Sequence, residues 1–181
     1  MKNIVSKTGF FTLISVIFFA FSASANQPSS VGIVDIEQIS KEAKVVRDIA
    51  SQISKKRDQF QKDITEEEDK LEKEKDKLEA KKNILSESAL REEQEKFFRK
   101  VEKLKNDAGK KDKILKKAYN ESIQKVNDAV GEIVSEVALE RNLSIVLPSS
   151  QVVFSVKGID ITSDVVSKLD KKITKIRVKF D

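Results

Sequence analysis

Residues 64–104 read ITEEEDKLEKEKDKLEAKKNILSESALREEQEKFFRKVEKL, and the fold turns on whether this stretch reverses direction. Ile64, Leu71, Leu78 and Leu85 recur every seven residues, one row of a coiled-coil heptad. Leu90, Phe97 and Leu104 resume the same period after Ser86 and Ser88. Either serine can cap a new helix, and Glu87, Glu92 and Glu93 stand where the helix dipole favours anions. If the chain folds back here, Leu85 faces Leu90, Leu78 faces Phe97, Leu71 faces Leu104 and, further out, Phe60 faces Leu115. All four pairs are centred between Glu87 and Ser88. That coincidence predicts an antiparallel hairpin. An unbroken rod is the alternative, because neither Gly nor Pro marks the turn.

Outward from the turn the apolar pattern thickens. Ile39, Ala43, Val46, Ala50 and Ile53 extend the first helix backwards. Tyr119, Ile123, Val126, Val130, Ile133 and Val137 extend the second helix forwards. One seam row (Ile39, Val46, Ile53, Phe60) turns polar at Glu67, Glu74 and Lys81, so the stripe narrows to one apolar residue per heptad. The predicted coiled-coil arm spans residues 37–141, on the order of 70 Å long at about 1.5 Å per residue. Leu115, Tyr119 and Ile123 step by four, and Gly109 nearby is an expected weak point for bending.

Charge separates the two helices. Residues 55–82 hold ten basic and ten acidic side chains, whereas residues 96–117 hold ten basic and three acidic. The returning helix therefore presents a cationic surface suited to acidic polymers or anionic lipid head groups. Its candidate binding residues are Lys96, Arg99, Lys100, Lys103, Lys105, Lys110, Lys111 and Lys113.

The ends of the chain read differently. Val31 to Ile36, Ser144 to Leu147 and Gln151 to Val156 are β-branched runs that predict three short strands. Thr162 or Ser163 is expected to cap a short helix carrying Val165, Val166, Leu169 and Ile173. Residues 26–36 and 142–173 thus form a small β-body, and residues 174–181 a tail read as frayed or as an added strand. The expected fold is α+β. Three strands cannot bury their own faces, so the body is expected to be completed between subunits as a barrel. Its candidate contact residues are Ile33, Val34, Ile36, Ile145, Leu147, Val153, Phe154 and Val156.

Residues 1–25 have the order of a secretory signal peptide. Lys2 and Lys7 precede a twelve-residue apolar run, Phe10 to Phe21, and cleavage is expected after Ala25 in Ala23-Ser24-Ala25. The run is too short to span a bilayer, which needs about 20 apolar residues. Composition then narrows the chemistry. The chain has no Cys and no His, which leaves no thiolate, no disulfide and no histidine base. No Gly-rich phosphate loop appears either. Neither an enzyme nor a cofactor is expected, and abundant carboxylates read as solvated helix faces.

With VGIVDIEQIS from Val31 and NLSIVLPSSQVVFSVKGIDITSDVVSKLD from Asn142, the chain resembles the Skp/OmpH family of periplasmic chaperones. The resemblance runs from about Ser30 to Ile173 and is sharpest at Gly158-Ile159-Asp160-Ile161-Thr162. It implies a homotrimer in which strands from three subunits form a barrel and helical hairpins surround a cavity. It implies ATP-independent holding of unfolded outer-membrane proteins there, with lipopolysaccharide or an anionic membrane surface as a further candidate partner. Nucleic acid is not expected as a physiological partner of an exported protein. The alternative function is a structural coiled-coil adaptor of the cell envelope. Pro148 departs from the family, which often has an acidic residue there.

Overall fold

The computed structural model describes residues 30–181, so the export signal read from residues 1–25 lies outside the described residues. Val31–Val34 forms strand β1. The Asp35 carboxylate then accepts the Gln38 N–H at 2.9 Å and starts helix α1 (Ile36–Glu42). This cap ends the strand before the Ile36 expected from the sequence and places Ile36 on a helix.

At Ala43 a ψ of 131° breaks the helix before α2 (Lys44–Lys81). Alanine offers α2 no cap, and the Asp170 carboxylate supplies one from afar, accepting the Lys44 N–H at 2.8 Å. The break also shifts the seam. Val45, Ile49 and Ile53 are buried, whereas Val46 is half-buried and Ala50 exposed.

The chain reverses over residues 82–86, and Ser86 accepts the Ala89 N–H to begin α3 (Glu87–Glu140). The hairpin is therefore established, and α3 is continuous helix through Gly109. It ends at Asn142, whose φ of 55° replaces the usual glycine. The Leu143 N–H reaches Ala138 O at 2.8 Å and the Asn142 N–H reaches Leu139 O at 3.2 Å, closing the last carbonyls.

Strand β2 (Ile145–Pro148) pairs parallel with β1, Val31 opposite Ile145 and Val34 opposite Pro148. Parallel pairing requires β2 to begin beside the start of β1, so the returning helix must overshoot the outgoing ones. Helix α3 has 54 residues, while α1, Ala43 and α2 together have 46. The excess is about 12 Å of helix, close to the rise of about 13 Å for a four-residue strand. Leu143 then packs against β1, where a Cβ on Gly32 would stand 2.5 Å from its Cδ1.

Three expectations at the base need correction. Among the described residues of one subunit the sheet has two strands, not three: residues 152–156 are irregular, and Val153, Phe154 and Val156 are 105%, 83% and 59% exposed. Within one subunit the open side of β1 is taken by a bridge from Ile33 to Asp160, and the segment does not pair with the remaining edge of β2. Thr162 opens helix α4 (Thr162–Lys172) without capping it. Its hydroxyl instead accepts the Asp35 N–H at 2.9 Å, and Asp160 accepts the Thr162 N–H at 2.8 Å. Residues 174–181 are neither strand nor frayed tail, since Val178 is buried and Ile176 and Phe180 pack on the core.

That core sits entirely at the base. Ile39, Val45 and Ile49 meet Ile133 and Val137 of α3 and Ile161, Val165 and Leu169 around α4. Between residues 54 and 114 no side chain is buried.

Candidate functional site: the arm and the uncovered face of the base

Heptad chemistry sets the register of the arm, and ion pairs report it. Lys100 bonds Glu74 at 2.7 Å and Lys111 bonds Asp63 at 2.8 Å, each from α3 to α2. Both pairs are symmetric about residue 87, within half a residue of the centre of the apolar seam. Leu71 and Leu104 line one groove between the helices, and Leu78 and Phe97 line the next. Of the seam residues between Phe60 and Leu115 that pair across the hairpin, only Leu115 is buried; Phe60, Leu71, Leu78, Leu85, Leu90, Phe97 and Leu104 are half-buried. The arm is therefore a thin two-helix blade with one wet apolar line.

The cationic set is less free than its count suggests. Lys96 pairs with Glu92 and Glu93, Arg99 with Glu95, Lys110 with Asp107, Lys100 with Glu74 and Lys111 with Asp63. The Lys96 ammonium holds the Glu92 carboxyl below its ordinary range, and Lys111 does the same to Asp63. Lys103, Lys105 and Lys113 make no ion pair among the described residues. They are the unneutralised charge that acts at a distance. Lys111 also lies over the Phe60 ring, 5.0 Å from its centre, with Lys56 at 4.7 Å from the same ring.

Apolar side chains stand exposed at two places. On the arm these are Ile84 at the turn and Phe98, Val101, Tyr119 and Leu139 on α3, and Phe98 is 67% exposed. On the base, Ile36, Ile145, Val153, Phe154 and Val156 are exposed, whereas Ile33 and Val34 of the same expected set are buried and Leu147 is half-buried. Ile145 lies on β2, and Val153, Phe154 and Val156 lie in the irregular segment that follows it. Sequence reasoning missed Gln52 and Lys56, whose partners Ile176 and Phe180 lie in the last 20 residues, and Asp170, whose partner is the Lys44 N–H. No local signal marks a polar residue on an exposed helix as a tertiary clamp.

Fold and site together define a protein that projects a thin charged helical arm from a small mixed α/β base. The chain belongs to the OmpH-like outer membrane protein family, which matches residues 30–169. Its fold is similar to that of an OmpH-like protein from Caulobacter crescentus CB15, described as a candidate outer membrane chaperone. The two share 19% identity with a TM-score of 0.80, over 84% of this chain and 90% of that one. No curated protein matches the chain.

Proposed function

We propose that this protein is an ATP-independent holdase of the periplasm. It binds unfolded outer-membrane proteins in a space enclosed by the arms of three copies and keeps them from aggregating before insertion. The observation that carries the reading is the distal arm, where residues 54–114 bury no side chain. Little apolar area fastens α2 to α3 there, so the blade flexes and its opening adapts to the client. Phe98 and Val101 offer apolar contact without a closed pocket, as unspecific holding requires.

Family membership supports the role and the compartment, and residues 1–25 have the composition of an export signal. The uncovered Val153, Phe154 and Val156 support assembly, because a second copy can complete the two-stranded sheet. Three as the number of copies rests on the resemblance. The cations also suit lipopolysaccharide or an anionic membrane surface.

The test is to dilute a urea-unfolded outer-membrane β-barrel into the protein and follow light scattering. Suppression near one assembly per client is expected. Reversing Lys103, Lys105 and Lys113 to Glu should slow capture at low salt by about tenfold, and the difference should vanish near 1 M salt. Equal capture rates at low salt would remove the electrostatic part. Failure to suppress aggregation at all would favour a structural adaptor.

A further inference from the structure

The segment Thr174–Asp181 (TKIRVKFD) lies beyond the family-matched residues and forms neither helix nor strand, yet it is firmly seated. Gln52 of α2 holds its backbone. The amide Nε2 donates to Ile176 O at 2.8 Å, and Oε1 accepts the Val178 N–H at 3.1 Å. The Asp48 carboxylate accepts from the same Nε2 at 2.7 Å and so fixes which end of the amide donates. One side chain thus satisfies a C=O and the N–H two residues on. That pattern reads an extended backbone and ignores what the backbone carries, as an added strand is read at a sheet edge.

Alternation does the rest. Ile176, Val178 and Phe180 face the base core, with Val178 only 6% exposed, while Lys175, Arg177 and Lys179 are exposed. At the far end Lys56 stands 5.8 Å from the centre of the Phe180 ring, and Lys117 donates to Asp181 O at 3.3 Å.

We propose that the groove along α2 from Gln52 to Phe60 is a binding site for extended segments with apolar residues at alternate positions. Thr174–Asp181 is its resident occupant, and the strand-forming segments of an unfolded β-barrel displace it. The inference rests on the holdase reading above. Strands of outer-membrane barrels alternate apolar and polar residues over about ten positions, which is the pattern this groove already accepts. Gln52 sets the backbone register and the apolar floor takes every second side chain, so many sequences fit. When no client is present, the resident segment covers the floor and keeps it from sticking to other copies. Its tethering makes it a strong competitor without high intrinsic affinity.

Two experiments on the full-length chain test this. Val178→Asp puts a carboxylate on a buried position and should free the segment. Apparent affinity for a fluorescent unfolded barrel should then tighten by the inverse of the open fraction, about tenfold if the groove is open one-tenth of the time. Adding Gln52→Ala to that variant should reverse the gain. On the unaltered protein, hydrogen exchange of residues 176–180 should speed up when a ten-residue peptide alternating Val with Ser is added in excess. A scrambled peptide with its Val residues in one block should leave the rate unchanged. The exchange measurement stands even if Val178→Asp misfolds. Client capture with unchanged protection at 176–180 overturns this inference alone. Absence of client binding by every form overturns it together with the holdase reading.

Discussion

Three polar side chains hold the two ends of the chain together. Thr162 receives the Asp35 N–H across 127 residues, Asp170 receives the Lys44 N–H across 126, and Gln52 clamps Ile176 and Val178 across 124 and 126. Each answers a backbone group that would otherwise be orphaned at a helix start or in an irregular segment. Asp35 also caps α1, and the Gln38 N–H holds its carboxyl below the ordinary value of 3.8. The folded state therefore prefers the charged form. This contribution is complete above the unfolded value and disappears as pH falls through the lowered one. Asp35→Asn should lower the melting temperature at pH 7 and flatten its decline between pH 5 and pH 2. Melting curves of the two proteins in parallel across that range check it; identical acid limbs would assign the cap no electrostatic part. Nothing in the sequence marks these partners. Asp35 reads as part of a strand, and Gln52 and Asp170 look like any solvated helix residue until the base is assembled.

At the scale of elements, the hairpin is an unequal beam. Its root is packed on all sides, and Ile133 is 0% exposed. Its outer half is held by half-buried leucines and by exposed ion pairs such as Lys100–Glu74, each worth about 0–1 kcal/mol. Ile133→Ala should cost about 2–5 kcal/mol in denaturant unfolding. Leu78→Ala should cost about 1 kcal/mol or less, because water already reaches that side chain. Equal losses would mean that the arm and base unfold as one uniform unit. The register of the beam was legible in advance. The symmetry of the two leucine rows and the cap at Ser86 are local and periodic, and heptads translate directly into contacts. The segment 151–156 is unpaired in one subunit for the opposite reason. Its residues favour β-structure, but that preference acts only where side chains pack against cross-strand and same-face neighbours.

At the scale of the whole molecule, one chain is unfinished on one face. Val153, Phe154 and Val156 project outward beside a sheet of two strands. Under the proposed assembly these residues are covered by sister copies, and the segment gains the partner it lacks. Phe154→Ser should lower the mass in solution measured by light scattering, from an oligomer towards a single chain, while circular dichroism keeps the helical signal. An unchanged mass would place the contact elsewhere. Client holding should fall with the oligomer, because a single blade encloses nothing.

The residue pattern alone determined the hairpin, its register, the thinning of its seam and its family. Those features depend on period and composition, which a linear chain displays in full. Tertiary structure decided the break at Ala43, the two-stranded sheet and the seating of Thr174–Asp181 on Gln52. It also decided which lysines keep their charge unpaired. Each of these depends on groups more than a hundred residues apart, or on an arm brought alongside its partner, and such neighbours exist only once the overshoot of α3 has returned the chain to its start.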